Sequence, residues 1–280
     1  MPNEPSQTSP LHREVRYPRP DLPLAVRRDV PYSSSVSDGR LMDIYSPFTD
    51  ASLRSAIVIA SGYPAAGLRQ YVGCSARGLP AITSWARLLG TEGIAAVIYD
   101  AAEPAADLHA VLTFLRTEGA QLGIDSNRLG VLASSGNAPV ALAAVAAGGL
   151  KCAIFLYGFT LDGPDNSTIR TASRHFGFAN PSSQLTTEDL PASTHLLFVR
   201  AGNDELPGLN EALDRFTADA LRSNLPITIV NHSTGPHAFD LIDESNESRN
   251  AIGQVLGFTR MRLMEQSRIT PADEDRWRPV

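Results

Sequence analysis

The sequence has very few residues that could cross-link the chain or bind a metal through sulfur. Cysteine occurs only twice in 280 residues, at Cys74 and Cys152. Two cysteines so far apart form neither a disulfide framework nor the paired pattern of a zinc site, so we interpret both as reduced packing residues. The sequence also lacks an H-E-x-x-H motif, a Walker loop and a G-x-G-x-x-G motif after a strand. We therefore predict no metal and no cofactor.

Long hydrophobic runs and an excess of basic residues are absent as well. No stretch of about 18 consecutive apolar residues occurs, which argues against a membrane-spanning helix. The formal net charge is -6, and nothing in the charge pattern favours nucleic acid or an anionic membrane as a partner. Residues 1–23 are polar and proline-rich and lack the apolar core of a signal peptide. We expect a cytoplasmic protein, and its oligomeric state stays open.

Six short, nearly continuous apolar runs are spaced along the chain. Runs of this kind are typical of strands buried on both faces of a parallel sheet. They cover residues 56–60, 94–99, 129–133, 152–157, 195–201 and 227–231.

Segments with a helical period lie between these runs. In residues 105–123 and again in residues 209–223, apolar side chains recur at the spacing of one helix face. Residues 27–34 and 39–47 predict two outer strands joined by a turn at Asp38-Gly39. This alternation predicts an α/β fold with a mostly parallel central sheet, helices on both faces and right-handed crossovers.

We predict one α/β domain over residues 24–266, with polar segments at either end. Residues 1–23 are assigned to an N-terminal extension and residues 267–280 to a C-terminal tail. Residues 161–191 are rich in turn formers and are long for a connection, so we expect a lid or a surface excursion there.

The stretch LGVLASSGNAPVAL has the order of a nucleophile elbow, in which a serine stands between a strand and a helix. Ser135 fits this position, with the small residue Ala133 before it and Asn137 at the later place where glycine is usual. Ser134 is the alternative, with Gly136 two residues on but a bulky leucine two residues before. We favour Ser135 because helical residues follow it at once. A simpler interpretation is that these serines only cap the helix.

A histidine and a carboxylate follow Ser135 in the order that a catalytic triad requires. His237 lies in a Gly-Pro loop after the last apolar run, where an imidazole can take the serine proton. His232 is the alternative base, although packing is the simpler role for it. Asp204 follows the run at 195–201, where its carboxylate can orient the imidazole. The other carboxylates considered are Glu205, Asp162 and Asp165.

A site for the reaction's oxyanion is predicted after the first apolar run. That run ends in the sequence Ser-Gly-Tyr-Pro at residues 61–64. A loop at this place can donate one backbone N–H beside the N–H of Gly136. We assign the donor to Tyr63 and the close approach to Gly62. The alternative is a simple turn that ends the strand.

With these motifs, the chain from about residue 29 to residue 262 resembles the α/β-hydrolase superfamily. It is similar to the dienelactone hydrolase-like and acyl-peptidase-type esterase branch, through the motifs VIASGYP, RLGVLASSGNAPVAL, VRAGNDELPG and GPHAFD. The resemblance implies that Ser135 is the nucleophile, Asp204 the acid and His237 the base. The chain departs from the pattern at Ser61, where many relatives have histidine, and at Asn137. A serine also stands where dienelactone hydrolases use cysteine, which argues against dienelactone as the substrate.

The expected function is a serine hydrolase that cleaves a carboxylic ester of a small substrate through an acyl-enzyme. Residues 161–191 are expected to supply walls of the pocket, although ordinary loop packing explains them equally well. The substrate-binding candidates, beside Gly62, are Arg174, His175 and Phe176. The same triad would also suit amide or lactone hydrolysis. A non-catalytic ligand-binding protein of the same fold is the alternative, and Asn137 and Ser61 favour it.

Overall fold

A central sheet of eight strands organises the part of the chain that the computed structural model describes, residues 9–18, 20, 22–33, 40–47, 53–162 and 167–264. The strands are β1 (Leu24–Pro31), β2 (Leu41–Pro47), β3 (Arg54–Ile59), β4 (Ala95–Tyr99), β5 (Ile124–Ser134), β6 (Cys152–Leu156), β7 (His195–Ala201) and β8 (Ile227–His232). Their order across the sheet is β1-β2-β4-β3-β5-β6-β7-β8. The β1–β2 and β2–β4 pairs are antiparallel and all the others are parallel. The predicted α/β fold with a mostly parallel sheet is confirmed.

Helices cover both faces of the sheet. They are α1 (Ala65–Val72), α2 (Pro80–Thr91), α3 (Pro104–Glu118), α4 (Ala138–Ala146), α5 (Thr168–Phe176), α6 (Leu209–Arg222), α7 (Phe239–Ile242) and α8 (Asn246–Leu263). Buried side chains of α3, α4 and α6 pack on one face of the sheet, and those of α2 and α8 pack on the other. The two segments for which a helical period was predicted, residues 105–123 and 209–223, correspond to α3 and α6.

The apolar strands contribute side chains to two core layers, one on each face of the sheet. Successive side chains of a strand point to opposite faces, so a continuous apolar run buries both of its sides. On one face Phe155 of β6 lies beside Phe198 of β7, and their rings stack with centroids 4.5 Å apart. On the other face the neighbouring residues Ile154 and Leu197 are buried in the layer where α8 packs on β6 and β7. This two-sided burial explains why these strands show no alternation of apolar and polar residues.

Part of the predicted N-terminal extension packs on the domain. Val15 is buried, and its backbone N–H donates to the Ser84 hydroxyl on α2 at 3.0 Å. The N–H of Arg16 donates to the carbonyl oxygen of Asp240 on α7 at 2.7 Å. The predicted turn at residues 38–39 and the predicted tail at 267–280 lie outside the described residues. Within the described residues, no helix is long and apolar enough to cross a membrane.

A buried ion cluster ties the antiparallel edge of the sheet to β4. Arg77, between α1 and α2, contacts Asp43 on β2 at 2.5 Å and Asp100 after β4 at 3.1 Å. The Arg77 side chain is 17% exposed, and the two carboxylate side chains are 2% and 7% exposed. The Tyr32 hydroxyl also donates to the Asp100 carbonyl oxygen at 2.7 Å. These partners offset the loss of solvation that the buried charges suffer.

Removing the Arg77 guanidinium tests how far the fold depends on this cluster. In Arg77→Ala, two nearly buried carboxylates lose their shared cation, and we expect the free energy of unfolding to fall by about 3 kcal/mol in urea denaturation. The control is Arg260→Ala, because Arg260 is 60% exposed in its pair with Glu92. That pair should contribute less than about 1 kcal/mol. Equal losses in the two variants would contradict a special role for the cluster.

Candidate active site

Ser135 stands in a sharp turn between β5 and α4. Its φ angle is +49°, in the left-handed region that residues with a side chain rarely adopt. A single 3-10 turn over Ser135–Asn137 separates the end of the strand from the start of the helix. Backbone strain of this kind persists where the surrounding structure fixes it, and it occurs often at functional sites. The turn therefore has the form expected for a nucleophile elbow.

The structure brings Ser135, His237 and Asp204 into one hydrogen-bonded chain. The Nε2 atom of His237 lies 2.9 Å from the Ser135 hydroxyl oxygen. The Nδ1 atom of the same ring lies 2.6 Å from Oδ2 of Asp204. The Asp204 side chain is fully buried, whereas the imidazole is 29% exposed. The carboxylate end of the chain is thus shielded from water, whereas the imidazole in its middle is partly exposed to solvent.

The loops that carry Asp204 and His237 are held together through their backbones. The N–H of Gly202 donates to the His232 carbonyl oxygen at 2.8 Å. A Cβ at Gly202 would lie 2.1 Å from a carbonyl oxygen of the histidine loop, so only glycine permits this approach. Oδ1 of Asp204 accepts the N–H of Leu206 at 3.0 Å, which leaves Oδ2 for the imidazole. Local backbone contacts therefore set the direction of the carboxylate.

The 61–64 loop, which follows β3, packs directly on the elbow. The N–H of Gly62 donates to the side-chain oxygen of Asn137 at 2.7 Å. A Cβ at Gly62 would lie 2.5 Å from the Gly136 carbonyl oxygen, so glycine is required there. The backbone N–H of Tyr63 has no acceptor among the described residues. Burial raises the pKa of the Tyr63 hydroxyl to about 12.

No protein-family model and no curated protein matches the chain. Solved structures do resemble it. A thermostable esterase from Pseudomonas putida is 15% identical with a TM-score of 0.65, over 90% of this chain and 86% of that one. Carboxyl esterase 2 from the mycorrhizal fungus Tuber melanosporum is 16% identical with a TM-score of 0.65, over 92% and 95%. An alpha/beta hydrolase enzyme from a Medee basin deep-sea metagenome library is 13% identical with a TM-score of 0.61, over 86% and 98%.

This chain has the α/β-hydrolase fold. At identities of 13–16% the likeness concerns the fold alone.

Ser134 and His232, the alternatives that the sequence offered for nucleophile and base, have other surroundings. The His237 Nε2 atom meets the Ser135 hydroxyl, and among the described residues no hydrogen bond joins the Ser134 side chain to this ring. His232 is almost fully buried, and its Nε2 atom lies 3.2 Å from Asp243 and 2.8 Å from a serine hydroxyl of α8. These contacts anchor the end of β8 to α8.

The alternative carboxylates lie away from the imidazole. The Asp162 oxygens accept the N–H groups of Ile169 and Arg170 at the start of α5, at 2.8 and 3.0 Å. Glu205 is exposed, and Asp165 lies outside the described residues. Among the described residues, no group of three or more histidine, cysteine or acidic side chains forms a place for a metal ion.

From the 161–191 segment, the aromatic residue Phe178 packs against the elbow. Phe178 is buried, and a Cβ at Gly136 would lie 2.7 Å from its ring. The Phe178 ring stacks on Phe159 with centroids 5.0 Å apart and meets the Tyr63 ring edge-on at 6.1 Å. The three predicted substrate-binding residues of α5 are exposed, and within the described residues none makes a hydrogen bond or ring contact with the triad. They are Arg174, His175 and Phe176.

A buried polar network lies beside the imidazole and was not predicted from the sequence. The Tyr157 ring meets the His237 ring with centroids 4.7 Å apart, and its hydroxyl donates to Asp240 at 2.7 Å. The indole N–H of Trp85 donates to the other Asp240 oxygen at 2.7 Å. Burial raises the pKa of the Asp240 carboxyl, although both of these hydrogen bonds act to lower it. The sequence could have indicated Tyr157, because it ends the apolar run at 152–157, where site residues are expected. Nothing in the sequence around Trp85 indicated a place in this network.

Replacing Asp240 tests the pH dependence that this burial creates. Because its pKa is raised above the ordinary 3.8, the folded state binds the Asp240 proton more tightly than the unfolded state does. The contribution of this group to stability is thus fully present below that ordinary value and is lost as the pH rises through the folded pKa. The unfolding free energy of wild type minus that of Asp240→Asn, measured by urea denaturation, should therefore fall as the pH rises above 3.8.

The control for a general loss of negative charge is Glu118→Gln, which changes an exposed carboxylate on α3. A difference between wild type and Asp240→Asn that increases with pH would show that the carboxylate is stabilised, and not penalised, by its surroundings.

Proposed function

We propose that this chain is a serine hydrolase that cleaves a carboxylic ester of a small substrate through an acyl-enzyme. The observation that carries the proposal is the hydrogen-bonded chain from Ser135 through His237 to Asp204. A serine hydroxyl becomes an effective nucleophile when an adjacent imidazole takes its proton. In the first step, His237 Nε2 accepts the Ser135 proton while the serine oxygen attacks the ester carbonyl carbon.

Asp204 keeps the imidazole in the state that this step needs. Its Oδ2 accepts the Nδ1–H of His237, which leaves Nε2 free to accept the serine proton. When the ring becomes an imidazolium, the buried carboxylate beside it stabilises the new positive charge. His237 then returns the proton to the leaving alcohol. In the second step, His237 takes a proton from water as the water oxygen attacks the acyl carbonyl carbon. The imidazolium then gives this proton to the Ser135 oxygen as the acyl–oxygen bond breaks, which releases the acid and restores the Ser135 hydroxyl.

Two backbone N–H groups are proposed to bind the oxyanion that forms in each step. One is the N–H of Gly136, directly after the nucleophile, and the other is the N–H of Tyr63. The support for Tyr63 is that its N–H lacks an acceptor within the described part of the chain. A donor of this kind typically contributes about 3 kcal/mol of transition-state stabilisation. Gly62 allows the loop to approach closely enough.

The surroundings of the elbow favour a small acyl group. Phe178 and the Tyr63 side chain both lie against Gly136, where a Cβ would meet the Tyr63 hydroxyl at 2.4 Å and the Phe178 ring at 2.7 Å. The resemblance to the dienelactone hydrolase-like and acyl-peptidase-type esterases supports an ester, and the serine nucleophile argues against dienelactone. In this proposal the exposed α5 residues Arg174, His175 and Phe176 contact the part of the substrate that extends into solvent.

Ser135→Ala is the direct test. Without the nucleophile we expect the turnover of p-nitrophenyl acetate to fall by at least about 10³-fold, while the circular dichroism spectrum and the melting temperature are retained. A fluorophosphonate probe should label the peptide that contains Ser135 in wild type and leave the variant unlabelled. Short amide and lactone substrates in the same assay define the bond that is cleaved.

Ser134→Ala is the matched control, since it removes the neighbouring hydroxyl and leaves Ser135 in place. This variant should keep both the label and the turnover. Unchanged turnover in Ser135→Ala would refute the assigned nucleophile. Absence of turnover and of label in folded wild type would favour the non-catalytic ligand-binding protein instead.

A further inference from the structure

We propose that Asn137 is a positioning residue that fixes the 61–64 loop so that the Tyr63 N–H faces the reacting carbonyl oxygen. This inference rests on the proposed serine hydrolase function. It gives a role to the residue that stands where an elbow of this kind usually has glycine.

The Asn137 side chain does not cap the helix that follows it. Asparagine at this place often accepts an N–H of the first helical turn. Asn137 precedes α4 but makes no side-chain capping bond. Its oxygen accepts the Gly62 N–H at 2.7 Å instead, across 75 positions of sequence. The side chain therefore joins the elbow to the loop after β3.

The hydrogen bonds of the 61–64 loop leave one backbone donor available. The Ser61 N–H donates to the Tyr99 hydroxyl at 3.2 Å, and the Gly62 N–H donates to Asn137 at 2.7 Å. Pro64 has no N–H. The Tyr63 N–H is thus the donor in this loop that lacks an acceptor among the described residues.

The other contacts of the loop do not replace the bond from Asn137. The Gly62 carbonyl oxygen accepts the N–H of Ala179 at 2.9 Å, and the Ser61 hydroxyl donates to the Tyr63 carbonyl oxygen at 3.2 Å. Both of these bonds hold carbonyl groups. Without the Asn137 oxygen, the Gly62 N–H loses its partner at a residue with wide backbone freedom. Rotation of the adjoining peptides would then turn the Tyr63 N–H away from the oxyanion.

The expected effect is on the chemical step and not on substrate binding, because the oxyanion forms only during reaction. A displacement of about 1 Å at a catalytic group can reduce the rate about 100-fold. For Asn137→Ala and Asn137→Gly in the full chain, we expect kcat with p-nitrophenyl acetate to fall roughly 10- to 100-fold. KM should stay within about threefold of wild type, since ground-state binding is retained.

A paired substrate separates loop positioning from a general loss of stability. In the thiono ester of the same alcohol and acid, sulfur replaces the carbonyl oxygen and accepts hydrogen bonds weakly. Wild type should prefer the oxygen ester, and both Asn137 variants should show a smaller preference because they have lost an aligned donor. The control is Asn231→Ala, which removes an exposed asparagine of β8 that contacts Arg200. Its kcat and its preference should equal those of wild type.

Each outcome decides the inference. A rise in KM at unchanged kcat would overturn it, because Asn137 would then contact the substrate directly. Wild-type kcat and preference in either folded variant would also overturn it, while turnover that Ser135→Ala abolishes would leave the proposed function standing. Absence of turnover in wild type would overturn both. If Asn137→Ala does not fold, the kcat and the oxygen-ester preference of Asn137→Gly test the inference.

Discussion

The parallel register of the central strands is the constraint on which the site depends. Ile59 at the end of β3 lies opposite Leu132 of β5, and Ser134 at the end of β5 lies opposite Leu156. The last residues of β7 and β8, Ala201 and His232, also face each other. Since parallel strands end at one edge of a sheet, the four loops after them begin close together. Ser135 and His237, which lie 102 positions apart in sequence, thereby come within hydrogen-bond distance.

Two buried carboxylates, Asp204 and Asp240, lie near the imidazole, and their different hydrogen-bond partners give them different roles. Asp240 is bound by both Trp85 and Tyr157, so its oxygens are already occupied by neutral donors. Asp204 keeps one oxygen directed at His237. Only Asp204 therefore contacts the ring nitrogen, whereas Asp240 fixes the tyrosine that packs on the ring face. Burial strengthens both arrangements because charges and dipoles interact more strongly away from water.

Features that depend on local pattern could be predicted from the sequence, whereas contacts between distant segments could not. The apolar runs indicated six of the strands, and the strand ends indicated where Ser135, Asp204 and His237 would lie. The bond from Gly62 to Asn137 could not be predicted, because it needs β3 to neighbour β5, which no local pattern specifies. Long-range packing likewise selected Phe178 for contact with the elbow. The exposed α5 residues at 174–176 share its segment but not its burial.

The contact between Arg16 and Asp240 has a consequence for synthesis on the ribosome. Translation produces the N-terminal segment first, yet its partner on α7 emerges only after β8 and the histidine loop have been made. The nascent chain therefore carries Ser135 through the synthesis of 102 further positions before His237 can reach it. The N-terminal segment therefore lacks this hydrogen-bond acceptor until Asp240 has been synthesised. Ribosomal stalling between these two points would leave a folding intermediate in which the serine has no base.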